Sequence, residues 1–159
     1  MSSNKSSFPE QADEVAELLV RVYEIHEVII AEAGGLSGLR DAALLHAAVA
    51  RPFATFAGAE LYPYDFEKAA AVFHSLIKSH PFMDGTKRTA FAAALYFLER
   101  LGHSIPDQLP EDEVIRFCVG VAEEARLQAE GEPVQPKTIA EIAAWFKALV
   151  GDLSCSEEL

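Results

Sequence analysis

The sequence predicts an all-α domain of about six helices around a central buried helix, with one small irregular or β-hairpin flap. Three observations carry this reading. Apolar residues recur at i, i+3, i+4 through successive windows, the period of one helix face. Gly and Pro punctuate the boundaries between windows, at Gly34-Gly35, Pro52, Pro81, Gly102, Pro110 and Gly131. Half of the 159 residues are hydrophobic, enough for one real core.

Taken in order, residues 1–12 are polar and Ser-rich and are expected to be disordered. A first helix is predicted over about 13–32, with apolar residues at 15, 18, 19, 22, 25 and 29, ended by Gly34-Gly35. His26 lies close to that stripe and reads as a hydrogen-bonded structural histidine. A second helix runs from about 41 to 50 and stops before Pro52, with Arg40 or Asp41 as its cap. His46 and Arg51 read as solvated, or as partners for a carboxylate. Residues 53–64 break the rhythm, and aromatics alternating around Gly58 suggest an irregular loop or tiny hairpin.

The third helix, 65–79, carries apolar residues at 66, 69, 70, 73, 76 and 77. The fourth, about 89–101, is apolar all round from Phe91 to Leu98, so it is expected to be the central helix. After a proline-bounded connection, a fifth helix covers about 111–130 and ends at Gly131-Glu132-Pro133. Thr138-Ile139-Ala140-Glu141 is a capping box that opens a last helix, 138–150. Residues 151–159 form a polar tail, leaving a single domain over 13–150.

Composition narrows the function. No apolar run approaches 18 residues and no secretory segment follows Met1, so neither a membrane span nor export is expected. Cys118 falls on an apolar helix face and Cys155 in the tail, which suits a reducing cytoplasm without a structural disulfide. Net charge is −12 but uneven: −5 over residues 1–61, +1 over 62–103 and −8 over 104–159. An acidic chain of this kind argues against direct nucleic-acid binding. Its least acidic part still permits a local site for a phosphate-bearing small molecule.

That part contains His80-Pro81-Phe82-Met83-Asp84-Gly85-Thr86-Lys87-Arg88, a short loop running into a helix N-terminus. Unpaired N–H groups and the helix dipole make such a place an anion site. Lys87 and Arg88 in the first turn oppose the dipole, which an anionic ligand would explain. Asp84 beside phosphates suits Mg²⁺, and His80 can take a proton near neutral pH. Gly85 permits positive φ or close approach to a ligand, and Phe82 anchors the loop in the core. His74 and His80 lack a Cys or carboxylate at ligand spacing, so structural zinc is not expected. By physics alone, a plain helical corner with solvated charges stays equally open.

The nine residues and the following Thr89-Ala90 resemble the signature of the Fic/Doc family, H-x-F-x-[DE]-[GA]-N-[GK]-R. Lys87 at the eighth place resembles the Doc branch, the toxins of prophage-type toxin–antitoxin pairs. Gly34-Gly35, Gly38-Leu39-Arg40-Asp41, Leu44-Leu45, Ala50-Arg51-Pro52 and Leu61-Tyr62-Pro63 agree with that branch. The likeness covers about residues 22–105, so the last helix is an extension. Thr86 departs from it, where the family has Asn.

The resemblance implies a cytoplasmic enzyme that moves the γ-phosphate of ATP, with Mg²⁺, to a hydroxyl of a translation factor, elongation factor Tu being the implied target. His80 would be the general base and Asp84 the metal ligand. Gly85, Thr86, Lys87 and Arg88 would bind phosphate, Arg88 also acting in catalysis. Thr55, Phe56, Ala57 and Gly58 would form the flap that positions the target. Control is expected from an antitoxin in trans, because neither Ser6…Glu10-Gln11 nor Arg126…Glu130-Gly131 fits the inhibitory S/T-x-x-x-E-[GN] helix of related proteins. Two alternatives stand. One is AMP transfer as in Fic proteins proper, which carry Gly where this chain has Lys87. The other is a non-catalytic partner-binding module, which the Thr86 departure favours.

Overall fold

The computed structural model describes residues 8–154. Six helices are described: α1 (Phe8–Ala33), α2 (Ala42–Ala50), α3 (Asp65–Ser79), α4 (Thr86–Arg100), α5 (Glu111–Ala129) and α6 (Ile139–Ser154). A 3₁₀ turn (Arg51–Phe53) and a two-stranded hairpin, β1 (Thr55–Phe56) with β2 (Ala59–Glu60), join α2 to α3. The all-α expectation holds. Helix α1 begins at Phe8, inside the stretch expected to be disordered, and α6 runs to Ser154, past the predicted end at Val150. Residues 1–7 and Cys155 lie outside the described residues.

Local chemistry explains the boundaries. Asp41, not Arg40, caps α2: its Oδ1 accepts the Ala43 and Leu44 N–H groups at 2.9 and 3.2 Å. The capping box of α6 forms in both directions, Glu141 N–H to Thr138 Oγ1 at 3.1 Å and Thr138 N–H to Glu141 Oε1 at 3.2 Å. In the hairpin, Ala57 and Gly58 both take positive φ, 52° and 82°. Two such residues give the turn whose twist matches a tight hairpin. Phe56 at its tip is 75% exposed, whereas Phe53 and Tyr62 at its base pack inward. Among the described residues Arg51 pairs with no carboxylate; it donates to the Tyr62 hydroxyl at 3.0 Å.

The hub is α3, which packs against α2, the 3₁₀ turn, α4, α5 and α6. This corrects the expectation that α4 is the central helix. Phe91, Ala92, Leu95 and Tyr96 of α4 are only partly buried. On α3, by contrast, Ala69, Ala70, Val72, Phe73 and Leu76 are fully buried.

Helix α6 closes the core. Phe146 meets Phe73 edge-on at 5.2 Å, and Trp145 stacks on Phe117 at 3.8 Å with planes 3° apart. Phe146 is fully buried. Replacing it with Ala should cost about 3–5 kcal/mol of stability. Urea unfolding checks this, and a loss below about 1 kcal/mol would show that α6 only rests on the domain.

Candidate active site

The loop between α3 and α4 is fixed by two left-handed residues. His80 follows α3 at φ 49°, ψ 61°, its N–H closing on Leu76 O at 3.0 Å. A non-glycine residue in that region is strained, and Pro81 then prevents the helix from resuming. Gly85 takes φ 76° immediately before α4. The backbone angle favours glycine, and a Cβ there would also press on Ile30 Cδ1 of α1 at 3.2 Å. That is the positive φ expected of Gly85; the close approach is to α1.

Three sets of contacts hold the loop. The segment 38–41 straps it: Arg40 and Asp41 N–H both donate to Pro81 O, at 2.7 and 3.2 Å, and Met83 N–H donates to Gly38 O at 3.1 Å. The Arg40 guanidinium donates to His80 O and Ser79 O, each at 2.7 Å, satisfying carbonyls at the end of α3. Phe82 is fully buried, as expected, and stacks on the ring of His26. His26 is also fully buried and donates through Nε2 to Asp84 O at 2.7 Å, the hydrogen-bonded histidine its position predicted.

A groove of about 840 Å³ opens above this loop. Its floor is His80, Asp84, Gly85, Thr86, Lys87 and Arg88; its walls are Ile29, Ala33, Gly34 and Gly35 of the α1 end and Ala122, Ala125, Arg126 and Ala129 of α5. The structure therefore gathers the predicted base, carboxylate, glycine and cations into one cavity. The hairpin residues Thr55, Phe56, Ala57 and Gly58 do not line it. The α5 wall, Arg126 included, had no signal in the motif; only tertiary packing puts it there.

The electrostatics favour an anion. Lys87 and Arg88 make no ion pair among the described residues, whereas Arg126 is bound by Glu123 and Glu130. Helix α4 has no side-chain cap, so the N–H groups of its first turn face the groove without that partner. Thr86 is 4% exposed, and its Oγ1 has no partner in the described structure. Threonine can cap a helix from the N-cap, but here it follows the N-cap, Gly85.

Asp84 Oδ2 accepts the Leu36 N–H at 2.7 Å, while Oδ1 makes no hydrogen bond among the described residues. One carboxylate oxygen suits Mg²⁺ shared with phosphate oxygens and water, and would not make an all-protein cage. No cluster of three or more metal-ligating side chains occurs among the described residues.

Partial burial, with the Arg40 and Lys87 charges, lowers the His80 pKa from 6.5 against an opposing pull from Asp84. Protonation is disfavoured, so the imidazole is mostly neutral at pH 7 and able to accept a proton. NMR titration should give a His80 midpoint below 6.5, and any rate that needs the neutral ring should fall only below that midpoint. Removing a cation favours the imidazolium, so Arg40→Ala should raise the midpoint. A parent midpoint above 6.5 would contradict this account.

Comparison with known proteins matches the part of the chain that builds the loop. The Fic/DOC family profile matches residues 18–98. Toxin Doc of Mycolicibacterium smegmatis is 54% identical over 65 residues, covering 41% of this chain and 50% of that protein. Protein kinase doc of Escherichia phage P1 is 34% identical over 98 residues, covering 62% of this chain and 75% of that protein. The chain thus spans half of the first relative and three quarters of the second. Since the profile takes in half of this chain, from α1 through the loop into α4, the protein belongs to the Fic/DOC family.

Proposed function

We propose that this protein is a Doc-type toxin that transfers the γ-phosphate of ATP to a hydroxyl of a translation factor, elongation factor Tu being the target its family resemblance suggests. The observation that carries this reading is Lys87, in the first turn of α4, lining the groove beside His80 and without an ion pair among the described residues. A lysine there occupies room that AMP transfer would need for phosphates in the opposite orientation, and it offers a cation to a terminal phosphate instead. The kinase name of the phage relative supports the same choice.

Each side chain then has a task. His80, neutral because burial and nearby cations disfavour its protonated form, accepts the proton of the target hydroxyl. The hydroxyl oxygen bonds to the γ-phosphorus as the bond from that phosphorus to the bridging oxygen breaks, and ADP leaves. Lys87, Arg88 and the N–H groups opening α4 hold the phosphates and stabilise the charge that spreads over them. Positioning and charge stabilisation supply most of the rate in phosphoryl transfer. Asp84 would hold Mg²⁺ through Oδ1 while Leu36 N–H orients the carboxylate. When bound, that ion neutralises phosphate charge. The hairpin at Thr55–Glu60 would seat the target backbone, its exposed Phe56 being free to make contact.

Control would come from an antitoxin in trans, a segment that orders on binding the toxin. No helix among the described residues is long and apolar enough to cross a membrane, which agrees with action on a translation factor in the cytoplasm.

The deciding experiment incubates the protein with γ-labelled or α-labelled ATP and a bacterial lysate. Label should reach a protein from the γ position only. Label from the α position would make this an AMP transferase, and none from either would leave a binding module. His80→Ala should slow transfer by roughly 100- to 10,000-fold without unfolding the chain; near-parental transfer would remove the base assignment.

Thr86 weakens the site in this account. Its stranded hydroxyl occupies a place where an Asn amide offers both donor and acceptor. One hydrogen bond to a charged group is worth about 1.5–3 kcal/mol, so Thr86→Asn should raise transfer by roughly ten- to a hundredfold. Paired assays with one target and one ATP concentration test this, and equal rates would make position 86 purely structural.

A further inference from the structure

One fully buried polar side chain beneath the loop is used by no step above. His26, in the middle of α1, lies face to face with Phe82, the ring centroids 3.9 Å apart and the planes 8° from parallel. Its Nε2 is 2.7 Å from the Asp84 carbonyl oxygen. A carbonyl oxygen only accepts, so Nε2 carries the proton and Nδ1 is a bare acceptor. That Nδ1 is buried and has no partner in the described structure. An apolar ring of similar size would stack on Phe82 without stranding an acceptor. Packing alone therefore gives no reason for a histidine here. The bond to Asp84 does.

That bond acts where the geometry is most sensitive. It fixes the carbonyl of Asp84, and hence the peptide plane leading into Gly85, whose own φ is 76°. Gly85 O accepts the Thr89 N–H at 3.0 Å, the first bond of the α4 ladder. A Cβ at Gly85 would lie 3.8 Å from His26 Cδ2, so ring and turn are in close packing. On the other side of the same residue, the Leu36 N–H holds the Asp84 carboxylate at 2.7 Å. Asp84 is thus gripped at both ends, at its carbonyl by His26 of α1 and at its carboxylate by the Leu36 N–H. Its carboxylate direction and the opening of α4 move together if either grip is lost.

We infer that His26 is a positioning residue of the transfer site. Its Nε2–H bond to the Asp84 carbonyl aims both the Asp84 carboxylate and the first turn of α4 at the phosphates. The inference rests on the phosphotransfer reading for its consequence in rate, but its geometry can be judged separately.

The test compares His26→Phe and His26→Gln with the parent. Phe keeps a ring against Phe82 and removes the donor; Gln restores an N–H at about the reach of Nε2. Three quantities are read: the melting temperature, hydrogen-exchange protection of the Leu36 amide, and the rate of γ-phosphate transfer across a Mg²⁺ titration. His26→Phe should melt at or above the parent, yet lose protection at Leu36 by about tenfold or more. It should transfer at least about tenfold more slowly and need more Mg²⁺ for half-maximal rate. His26→Gln should recover most of both losses.

A Phe variant with parental Leu36 protection and parental rate would overturn the inference. So would losses that simply follow a lowered melting temperature and are shared by the Gln variant. Should the Phe variant fail to fold, the imidazole ¹⁵N spectrum of the parent decides: an Nε2–H tautomer supports the bond, and an Nδ1–H tautomer rules it out. If the parent transfers no phosphate at all, the proposed function fails, while Leu36 protection and the tautomer still decide for or against His26.

Discussion

The architecture depends on a loop that must reverse direction between α3 and α4 within six residues while keeping its polar side chains on one side. Two left-handed residues, His80 at one end and Gly85 at the other, make the reversal. Glycine adopts this conformation readily at Gly85, but the one at His80 is imposed on a residue with a Cβ and costs free energy. The surroundings over-determine it. Arg40 binds the carbonyls of Ser79 and His80, the 38–41 strap pairs with 81–83, and Phe82 is sunk between α1 and the core. The strain at His80 is sustained by contacts from two separate parts of the chain, the 38–41 strap and α1.

This arrangement also explains why the groove is electrostatically unfinished. A loop that delivers a helix N-terminus to the surface exposes N–H groups, and two cations then sit beside them in α4 with no described counter-charge. Some cations elsewhere are neutralised by carboxylates: Arg100 by Glu17, Arg126 by Glu123 and Glu130, Lys137 by Glu124. In a chain of net charge −12, Lys87 and Arg88 make no ion pair among the described residues, and both line the groove. In the proposed function, the phosphates of ATP would supply the missing counter-charge.

Much of this was legible in the sequence. The period of apolar residues gave α3 to the residue, and the capping box placed the start of α6. His26 and Phe82 were readable as anchors because a histidine on an apolar stripe and a phenylalanine in a polar loop both need burial. Other features were not readable, for physical reasons. The apolar period of α4 shows only from Thr89, whereas the ladder opens at Thr86 with Gly85 as N-cap; the polar first turn carries no such period, and only the motif pointed to Lys87 and Arg88 there. The central helix was misassigned because all-round apolarity cannot distinguish full burial from a helix half-covered at an edge. The α5 wall of the groove lay some forty residues from the motif, and nothing local couples Ala122 or Arg126 to Gly85. Whether the hairpin serves the groove is set by a partner's shape, which no residue of the hairpin encodes by itself.

The central claim is that the opening turn of α4 is a phosphate cradle completed by Asp84 and the two motif cations. The most direct measurement is a titration of ATP and Mg²⁺ followed at the backbone amides by NMR. The account predicts saturable shifts centred on Gly85, Thr86, Lys87 and Arg88, with smaller ones at His80 and along the facing side of α5. Shifts centred instead on the shallow cleft between the start of α3 and α6, near Tyr64, His103 and Lys147, or no saturable shift at residues 85–88, would contradict it.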